Sequence, residues 1–284
     1  MLASNHIGYN SMKSGNTASA VRRTRCPSVS RRRIHTVSYR DAVFSIARAH
    51  TETINIWSHL FAALWFIIGA AEFAVTMMSL SSPTTAAVLA LLAANAFCFT
   101  CSTLYHVFAD HPSADSWLRF DHIGIVCAIW ASSVSLVVLS PGSQSFERSG
   151  HILLVTAAAT ICCTCLSTDS LHGSSKRGLR IRTHVIMGSV AAVPALRCWY
   201  LHELGQDLGL LAHFAIMVVV NGSGGAIYAT DLLDETIEKR LGVPGASHQT
   251  MHVMAVFGAM IYERGLMRAY FQYGAPGEGR PLQE

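Results

Sequence analysis

The chain has 284 residues, of which 51% are hydrophobic and only 13% are charged, and its formal net charge is +4. Soluble globular domains carry about 25% charged residues. The low charge, together with a mean hydropathy of +0.36, excludes an ordinary soluble protein and indicates one embedded in a membrane. The sequence contains no glycine-rich phosphate-binding loop and no nucleic-acid-binding motif, so we expect no nucleic-acid partner.

The first forty residues differ in kind from the rest of the chain. They contain eight basic residues and no acidic residue, and a segment of low hydrophobicity and high net charge cannot bury enough apolar surface to fold. We predict that residues 1–45 form a basic, disordered cytoplasmic tail that contacts anionic lipid. An alternative is a mitochondrial presequence, since such segments are also rich in Arg and Ser and poor in acidic residues.

Seven apolar stretches follow the tail. A membrane-spanning helix needs about 20 mainly apolar residues, with a range of about 17 to 25. The stretches are continuous rather than alternating, which favours helices over a closed barrel. The sequence therefore predicts an all-α fold, a seven-transmembrane helix bundle over residues 46–272, with a short C-terminal tail at 273–284. In chain order the predicted spans are Ile54–Met78, Thr84–Phe108, Trp117–Leu139, His151–Leu166, His184–Tyr200, Leu208–Ala229 and His248–Tyr270.

The distribution of Lys and Arg predicts the orientation of the bundle, because these residues concentrate on the cytoplasmic side of membrane proteins. With the N-terminus inside, sixteen of the 21 Lys and Arg residues fall on the cytoplasmic side and five on the other side. We therefore predict a cytoplasmic N-terminus and an extracytoplasmic C-terminus. The protein is expected to be an integral, multi-pass protein of the plasma membrane or an endomembrane.

Polar residues at the edges of the predicted spans form four clusters. Ionisable groups are costly in a bilayer and by default mark function. Under the predicted orientation all four clusters lie at the same depth, about one helical turn from the cytoplasmic face, although they are remote in sequence. The clusters are Glu52, Asn55 and His59 of "ETINIWSH", Ser102 and His106 of "STLYH", Asp121 of "FDHIGI", and His248 and His252 of "SHQTMH".

The histidines of "SHQTMH" predict a metal site. His248 and His252 are four residues apart and so project from one face of a helix. Together with His106 they could supply three ligands and leave a position open, which is the pattern of a catalytic zinc site. A zinc metalloprotease carries a glutamate directly after the first histidine. This chain has Gln249 there, so a general base must come from another helix, and Asp121 is the candidate.

Each of these polar residues also has an explanation without a metal. A histidine pair at the start of a helix can be a surface or capping feature, and Ser102 can bond back to a carbonyl of its own helix. Asp121 and Glu52 can complement the partial positive charge at helix N-termini. His59 can be a core histidine bonded to Asn55. The convergence of all four clusters on one layer favours the metal site.

At these residues the sequence resembles the progestin and adipoQ receptor family, which includes the adiponectin receptors and the bacterial hemolysin III proteins. "ETINIWSH" is similar to the family's ExxN motif followed by a histidine. "STLYH" with the later Asp121 is similar to its SxxxH…D motif, and "SHQTMH" to its HxxxH motif. The resemblance runs from about Thr51 to Tyr270. Between the sixth and seventh predicted spans the chain departs from the family pattern, with "DLLDETIEKR" in place of Arg-x-Pro-Glu-Arg.

The resemblance implies a seven-helix fold with its N-terminus inside and zinc bound by His106, His248 and His252. It places Asp121 and Ser102 near the water that reacts. It also implies hydrolysis of a membrane lipid amide of the ceramide type, and receptor or lipid- and metal-homeostasis roles. A protein ligand is compatible with this resemblance, but the sequence does not identify one.

Two other functions compete with the hydrolase. In a receptor or signalling protein the zinc could be structural, and a closed site would take His59 or Asp121 as its fourth ligand. A metal transporter is the other alternative. It is disfavoured because transporters usually have discontinuous helices or internal repeats near the middle of the membrane, and the sequence has neither.

Overall fold

The computed structural model describes residues 38–77, 82–140, 145–168, 176–202, 209–241 and 244–274. Within these ranges every element of regular structure is helical, and nine of the elements are α-helices. A short π-helical segment, Tyr270–Gly274, continues the last of them. In chain order the helices are α1 Tyr39–Ser45, α2 Thr53–Thr76, α3 Pro83–Val107, α4 Ala114–Leu139, α5 Ser145–Ser167, α6 Arg177–His202, α7 Gly209–Thr230, α8 Asp234–Leu241 and α9 Ala246–Ala269.

The structure confirms an all-α membrane bundle. Helices α2, α3, α4, α5 and α7 are long and apolar enough to cross a membrane. Helices α6 and α9 have 26 and 24 residues and are as long as those five helices, but they carry more polar and charged side chains. Every predicted span coincides with one of these seven helices. The crossing of the membrane by α6 and α9, and the orientation of the bundle, stay predictions.

The packing of the helices brings the beginning of α9 against the end of α3. Helix α3 packs between α2 and α4, and α9 packs against α7 and α2. The contact of α3 with α4 is especially close, because a Cβ atom added to Gly124 would lie 2.8 Å from the Cα atom of Cys98. Only glycine permits that separation. The two helix backbones can therefore touch just one turn beyond Asp121.

Helix α1 corrects one prediction. It lies within residues 1–45, which were expected to form a disordered tail, so for residues 39–45 the prediction is wrong. The backbone N–H of Asp41 donates to the Ser38 hydroxyl at 3.3 Å and caps the helix. Ala42 is fully buried in an apolar cluster with Ile56 and Phe108. The gain from this burial stabilises a helix that charge composition alone did not predict. Residues 1–37 lie outside the described ranges.

The helical region also extends slightly further at the other end than expected. It continues through Gly274, two residues beyond the predicted limit of the bundle at residue 272. Helix α8 is a further addition, since it lies in a segment that was read only as a connection between two spans. Acidic residues occupy its first turn and basic residues its last, an arrangement that complements the helix dipole.

Candidate metal centre

Three imidazole rings meet where the end of α3 approaches the beginning of α9. Nε2 of His252 lies 3.1 Å from Nε2 of His106 and 2.7 Å from Nε2 of His248. One nitrogen of each ring lies within 4.8 Å of the others. In the part of the chain that the structure describes, this is the one group of three or more His, Cys, Asp or Glu side chains that could hold a metal ion. The structure thus brings together the three histidines that the sequence analysis selected.

The donor set fits a divalent transition metal. His106 and His252 are only 3% and 2% exposed, and His248 is half-buried. Imidazole binds a metal in its neutral form, which burial favours because it disfavours the charged ring. Nδ1 of His252 has no hydrogen-bond partner. Three converging imidazoles with no acidic ligand among them are a typical protein site for zinc.

The carboxylate of Glu52 contacts the ring of His106 through Nδ1, whereas Nε2 faces the other histidines. Oε2 of Glu52 lies 2.8 Å from Nδ1 of His106, and the side-chain amide of Asn55 donates to the same oxygen at 2.9 Å. A carboxylate can only accept, so Nδ1 carries the hydrogen and Nε2 presents its lone pair to the cluster. Glu52 precedes α2 but makes no side-chain cap for it. Its contact is therefore with the metal centre rather than with the helix dipole.

Asp121 reaches the same layer from α4. Its side chain is 9% exposed, interacts with the Ser102 hydroxyl and lies within electrostatic reach of His106. Ser102 is itself buried, at 2% exposure, one helical turn before His106 on α3. The structure therefore places both residues proposed for catalysis beside the histidines, on two different helices.

A fourth imidazole, that of His59, lies against the cluster. Its ring centroid is 3.9 Å from that of His252, and the edge of Phe99 packs against it at 4.9 Å between centroids. Neither ring nitrogen of His59 has a hydrogen-bond partner. The suggested bond from His59 to Asn55 is therefore absent: the side-chain amide of Asn55 donates to Glu52, and its Oδ1 has no hydrogen-bond partner.

Gln249 occupies the position where a zinc metalloprotease would carry its glutamate. Its side-chain amide donates to the carbonyl oxygens of Thr51 and Pro244, both at 3.2 Å. The residue is 8% exposed. Gln249 thus ties the start of α9 to the segment that precedes α2, which is a structural role. Gln249 has no carboxylate and therefore cannot take the role of that glutamate.

One pair of histidines in the same region was not recognised from the sequence. Nδ1 of His122 lies 2.9 Å from Nε2 of His184, and the two rings stack with centroids 5.0 Å apart. His122 directly follows Asp121 on α4, and His184 lies on α6. Both histidines lie about two turns from the start of their helices. Their equal depth is the feature of the sequence that could have indicated the pair. The contact of α4 with α6 is not visible in local spacing.

The match to known proteins agrees with this geometry. A family model described as Haemolysin-III related matches residues 47–262, a range that includes all residues of the site. The chain belongs to the haemolysin-III related family. As a member of that family with several apolar helices long enough to span a bilayer, it is an integral, multi-pass membrane protein.

Curated relatives of this haemolysin-III related protein are described as receptors. The ADIPOR-like receptor IZH1 of Eremothecium gossypii is 22% identical over 247 residues, which cover 83% of this chain and 77% of that protein. The ADIPOR-like receptor IZH2 of Saccharomyces cerevisiae is 24% identical, covering 83% and 76%. Progestin and adipoQ receptor family member 3 of Mus musculus is 28% identical over 224 residues, covering 74% and 70%. The resemblance to the progestin and adipoQ receptor family is confirmed.

Proposed function

We propose that this protein is a zinc-containing, adiponectin-receptor-like membrane protein that hydrolyses a lipid amide of the ceramide type. One observation supports the proposal above all others. Three imidazoles from two helices converge, and two of them are buried. A buried carboxylate on a third helix, Asp121, lies within electrostatic reach of His106. A structural site closed by His59 would have no need of this buried acid.

His106, His248 and His252 would hold the zinc ion. When bound, zinc supplies Lewis acidity, which polarises a carbonyl group and makes water a nucleophile near neutral pH. The bond from Nδ1 of His106 to Glu52 fixes the tautomer of that ring and raises its basicity. Because both Glu52 and Asn55 come from the first turn of α2 or just before it, the position of that helix sets the orientation of a ligand on α3.

Asp121 would act as the general base. A carboxylate close to the histidines can take a proton from the attacking water and pass it to the amide nitrogen as the carbon–nitrogen bond breaks. The reaction then yields a fatty acid and an amine, with one water consumed. The Ser102 hydroxyl, which interacts with Asp121, would keep that carboxylate oriented towards the water.

We further propose seven spans with a cytoplasmic N-terminus, which would put the site near the cytoplasmic face. The site residues lie at the start of α2, at the end of α3 and about two turns into α4, and this topology would bring the three positions to one side of the membrane. The basic segment at the N-terminus would then face the anionic lipid of the cytoplasmic leaflet. The plasma membrane and the endomembranes are both compatible with this arrangement.

Replacement of Asp121 by Asn tests the proposed reaction. The amide is nearly isosteric with the carboxylate and leaves the histidines in place, so zinc content should be unchanged. Ceramide hydrolysis should fall by a factor of about 10² to 10⁴, the usual effect of a lost general base. Asp115→Asn is the matched control, because Asp115 lies on the same helix but is exposed. Hydrolysis that survives Asp121→Asn would rule out the assignment of the base.

The position of His59 supports a second candidate function, a receptor or signalling protein with a structural metal. A buried imidazole with two unpartnered nitrogens, whose ring centroid lies 3.9 Å from that of His252, could close a four-histidine site and leave no place for water. His59→Phe separates the two functions. The hydrolase should keep its zinc in this variant, whereas a closed four-ligand site should lose most of its zinc affinity. Absence of hydrolysis by the unmodified protein on any lipid amide would also favour the receptor.

A further inference from the structure

The turn between α7 and α8 is linked to the histidine cluster by two separate series of contacts, or routes. It contains Asp231, whose φ of 51° is the one positive φ among the non-glycine residues that the structure describes. Asp tolerates this left-handed conformation better than most residues. The turn contacts α6 through the side chain of Asp231 and α9 through the residues that follow it.

The first route begins with a two-point ion pair. Nη1 of Arg177 donates to Oδ2 of Asp231 at 3.0 Å, and Nη2 donates to Oδ1 at 2.8 Å. Such a pair fixes the plane of the guanidinium as well as its position. These hydrogen bonds also lower the pKa of the Asp231 carboxyl. The pair therefore joins the first residue of α6 to the residue that follows α7.

The guanidinium of Arg177 in turn fixes an aromatic ring. Its central carbon lies 4.2 Å from the centre of the Tyr228 ring, a cation–π arrangement, and Nη2 also donates to the carbonyl oxygen of Tyr228. The Tyr228 ring meets the imidazole of His248 in an edge-on contact, with centroids 5.0 Å apart and an interplanar angle of 80°. The ring of Tyr228 is thus held between the guanidinium and a proposed metal ligand.

The second route passes through the backbone at the start of α9. The N–H of Leu233 donates to the Ser247 hydroxyl at 3.0 Å, and the N–H of Ser247 donates to Oδ1 of Asp234 at 2.7 Å. Ser247 is fully buried and directly precedes His248. Gly245, which lies at the N-terminus of α9, offers no side-chain cap, so the bond from Ser247 to Asp234 gives one first-turn N–H an acceptor that the helix itself lacks. The bond from Leu233 ties the preceding turn to the Ser247 hydroxyl.

His248 is the proposed ligand that most needs this support. It lies in the first turn of α9, and helix ends fray. It is also half-buried, whereas His106 and His252 are almost completely buried. Packing therefore restrains two of the three imidazoles, while the third depends on contacts from outside its own helix.

We propose that Arg177 and Asp231 are positioning residues for His248, and that the turn between α7 and α8 controls how firmly the metal is held. The inference rests on the proposed function, since it concerns the affinity of the same site. The ion pair restrains the Tyr228 ring and the turn, and these together restrain the imidazole of His248 and the backbone next to it. Weakening the ion pair should therefore make the His248 side chain more mobile without any change to His248 itself.

Asp231→Asn tests this, and the chain contains a matched control. Asn keeps the size of the side chain and also tolerates positive φ, so the change removes only the charge. The control is Glu147→Gln, because Arg197 donates to both oxygens of Glu147 at 3.0 and 3.2 Å and lies over the ring of Tyr200. That pair has similar exposure but lies near the other end of α6.

The measurement is zinc affinity, determined by competition with a chelator on the purified full-length chain in detergent. Asp231→Asn should weaken zinc binding about tenfold, the lower end of the range for residues that orient metal ligands. It should also alter the absorption spectrum of the cobalt-substituted protein, which reports ligand geometry. Glu147→Gln should leave affinity and spectrum unchanged, even if both variants lower the melting temperature of the zinc-free protein.

A pair of substitutions at Tyr228 gives an independent test that leaves the ion pair intact. Tyr228→Phe keeps the ring and should bind zinc normally, whereas Tyr228→Leu should resemble Asp231→Asn. Equal affinity in Asp231→Asn and the unmodified protein, or equal losses in Asp231→Asn and Glu147→Gln, would overturn the inference alone. An unmodified protein that binds no metal would overturn the proposed function, and this inference with it.

Discussion

Two buried polar sites along α9, the Tyr262 hydroxyl and the histidine layer, differ in how their hydrogen-bonding groups are satisfied. Ten residues after His252, the Tyr262 hydroxyl donates to the carbonyl oxygen of Ser132 at 2.9 Å and lies 3.0 Å from the Ser135 hydroxyl. Close to His252 itself, three buried ring nitrogens, Nδ1 and Nε2 of His59 and Nδ1 of His252, have no partner. The two sites are about 15 Å apart along one helix, and both are closed to solvent.

This difference separates a polar group that is hydrogen-bonded within the fold from polar groups that the fold leaves without a partner. A buried hydrogen-bonding group without a partner costs about 1–3 kcal/mol. Tyr262 avoids that cost completely within the protein. The histidine layer does not, and a fold that tolerates several such groups in one place has a use for them. Substitutions at the two sites should therefore affect different measured quantities.

The largest effect is expected at the histidine layer. A His248→Ala, His252→Ala double variant should lose nearly all of the zinc, about one ion per chain, that we expect in the unmodified protein. Its melting temperature should also fall, because a metal that joins two helices couples binding to folding. Metal analysis of the purified protein and a thermal melt measure both. His151→Ala on α5 is the control, and full zinc occupancy in the double variant would refute the ligand assignment.

A smaller effect is expected from the carboxylate that holds His106. Glu52→Gln keeps the shape of the side chain but weakens its bond to Nδ1, so zinc affinity should fall by about 10- to 100-fold. Glu72→Gln is a suitable control, since Glu72 lies on α2 and is exposed. If chelator competition gave the same affinity for both variants, Glu52 would have no part in orienting the ligand.

The smallest change should come from Tyr262, and it should appear only in stability. Tyr262→Phe removes a buried hydroxyl and its bonds to Ser132 and Ser135. The Ser132 carbonyl keeps the Ser135 hydroxyl as a donor at 3.0 Å, so the free energy of unfolding should fall by about 0.5–1.5 kcal/mol. Zinc content and hydrolysis should not change. Tyr200→Phe is the comparison, because the Tyr200 ring is 60% exposed. Loss of zinc in Tyr262→Phe would show that the two sites are not independent.

The same contrast explains what could be predicted from the sequence. His248 and His252 share one helix, so their common face follows from helix geometry alone. His106 and Asp121 could be assigned to the same layer because each lies close to an end of a recognisable span. These inferences require only spacing and the approximate positions of the helix ends. Hydropathy located the end of α3 and the start of α9 to within about two residues, but it placed the starts of α5 and α6 about six and seven residues too late.

Contacts that depend on which helices are neighbours were not predictable in this way. The pairing of His122 with His184 requires α4 to pack against α6, and the bond from Glu52 to His106 requires α2 to pack against α3 at a particular rotation. Charge composition was also misleading at the N-terminus, where helix α1 is stabilised by the burial of Ala42 against distant residues. Side-chain rotation and helix packing are tertiary properties, and a single sequence carries only weak signals for them.

The separation of the histidines along the chain has a consequence for biosynthesis. His106 lies 146 residues before His252, so a ribosome that has completed α3 still has most of the chain to make before α9 exists. A nascent or truncated chain that ends before His248 has just one of the three imidazoles and cannot assemble the cluster. Metal binding would then follow the synthesis and membrane insertion of α9. An occupied site would therefore occur only in chains whose last helix is complete.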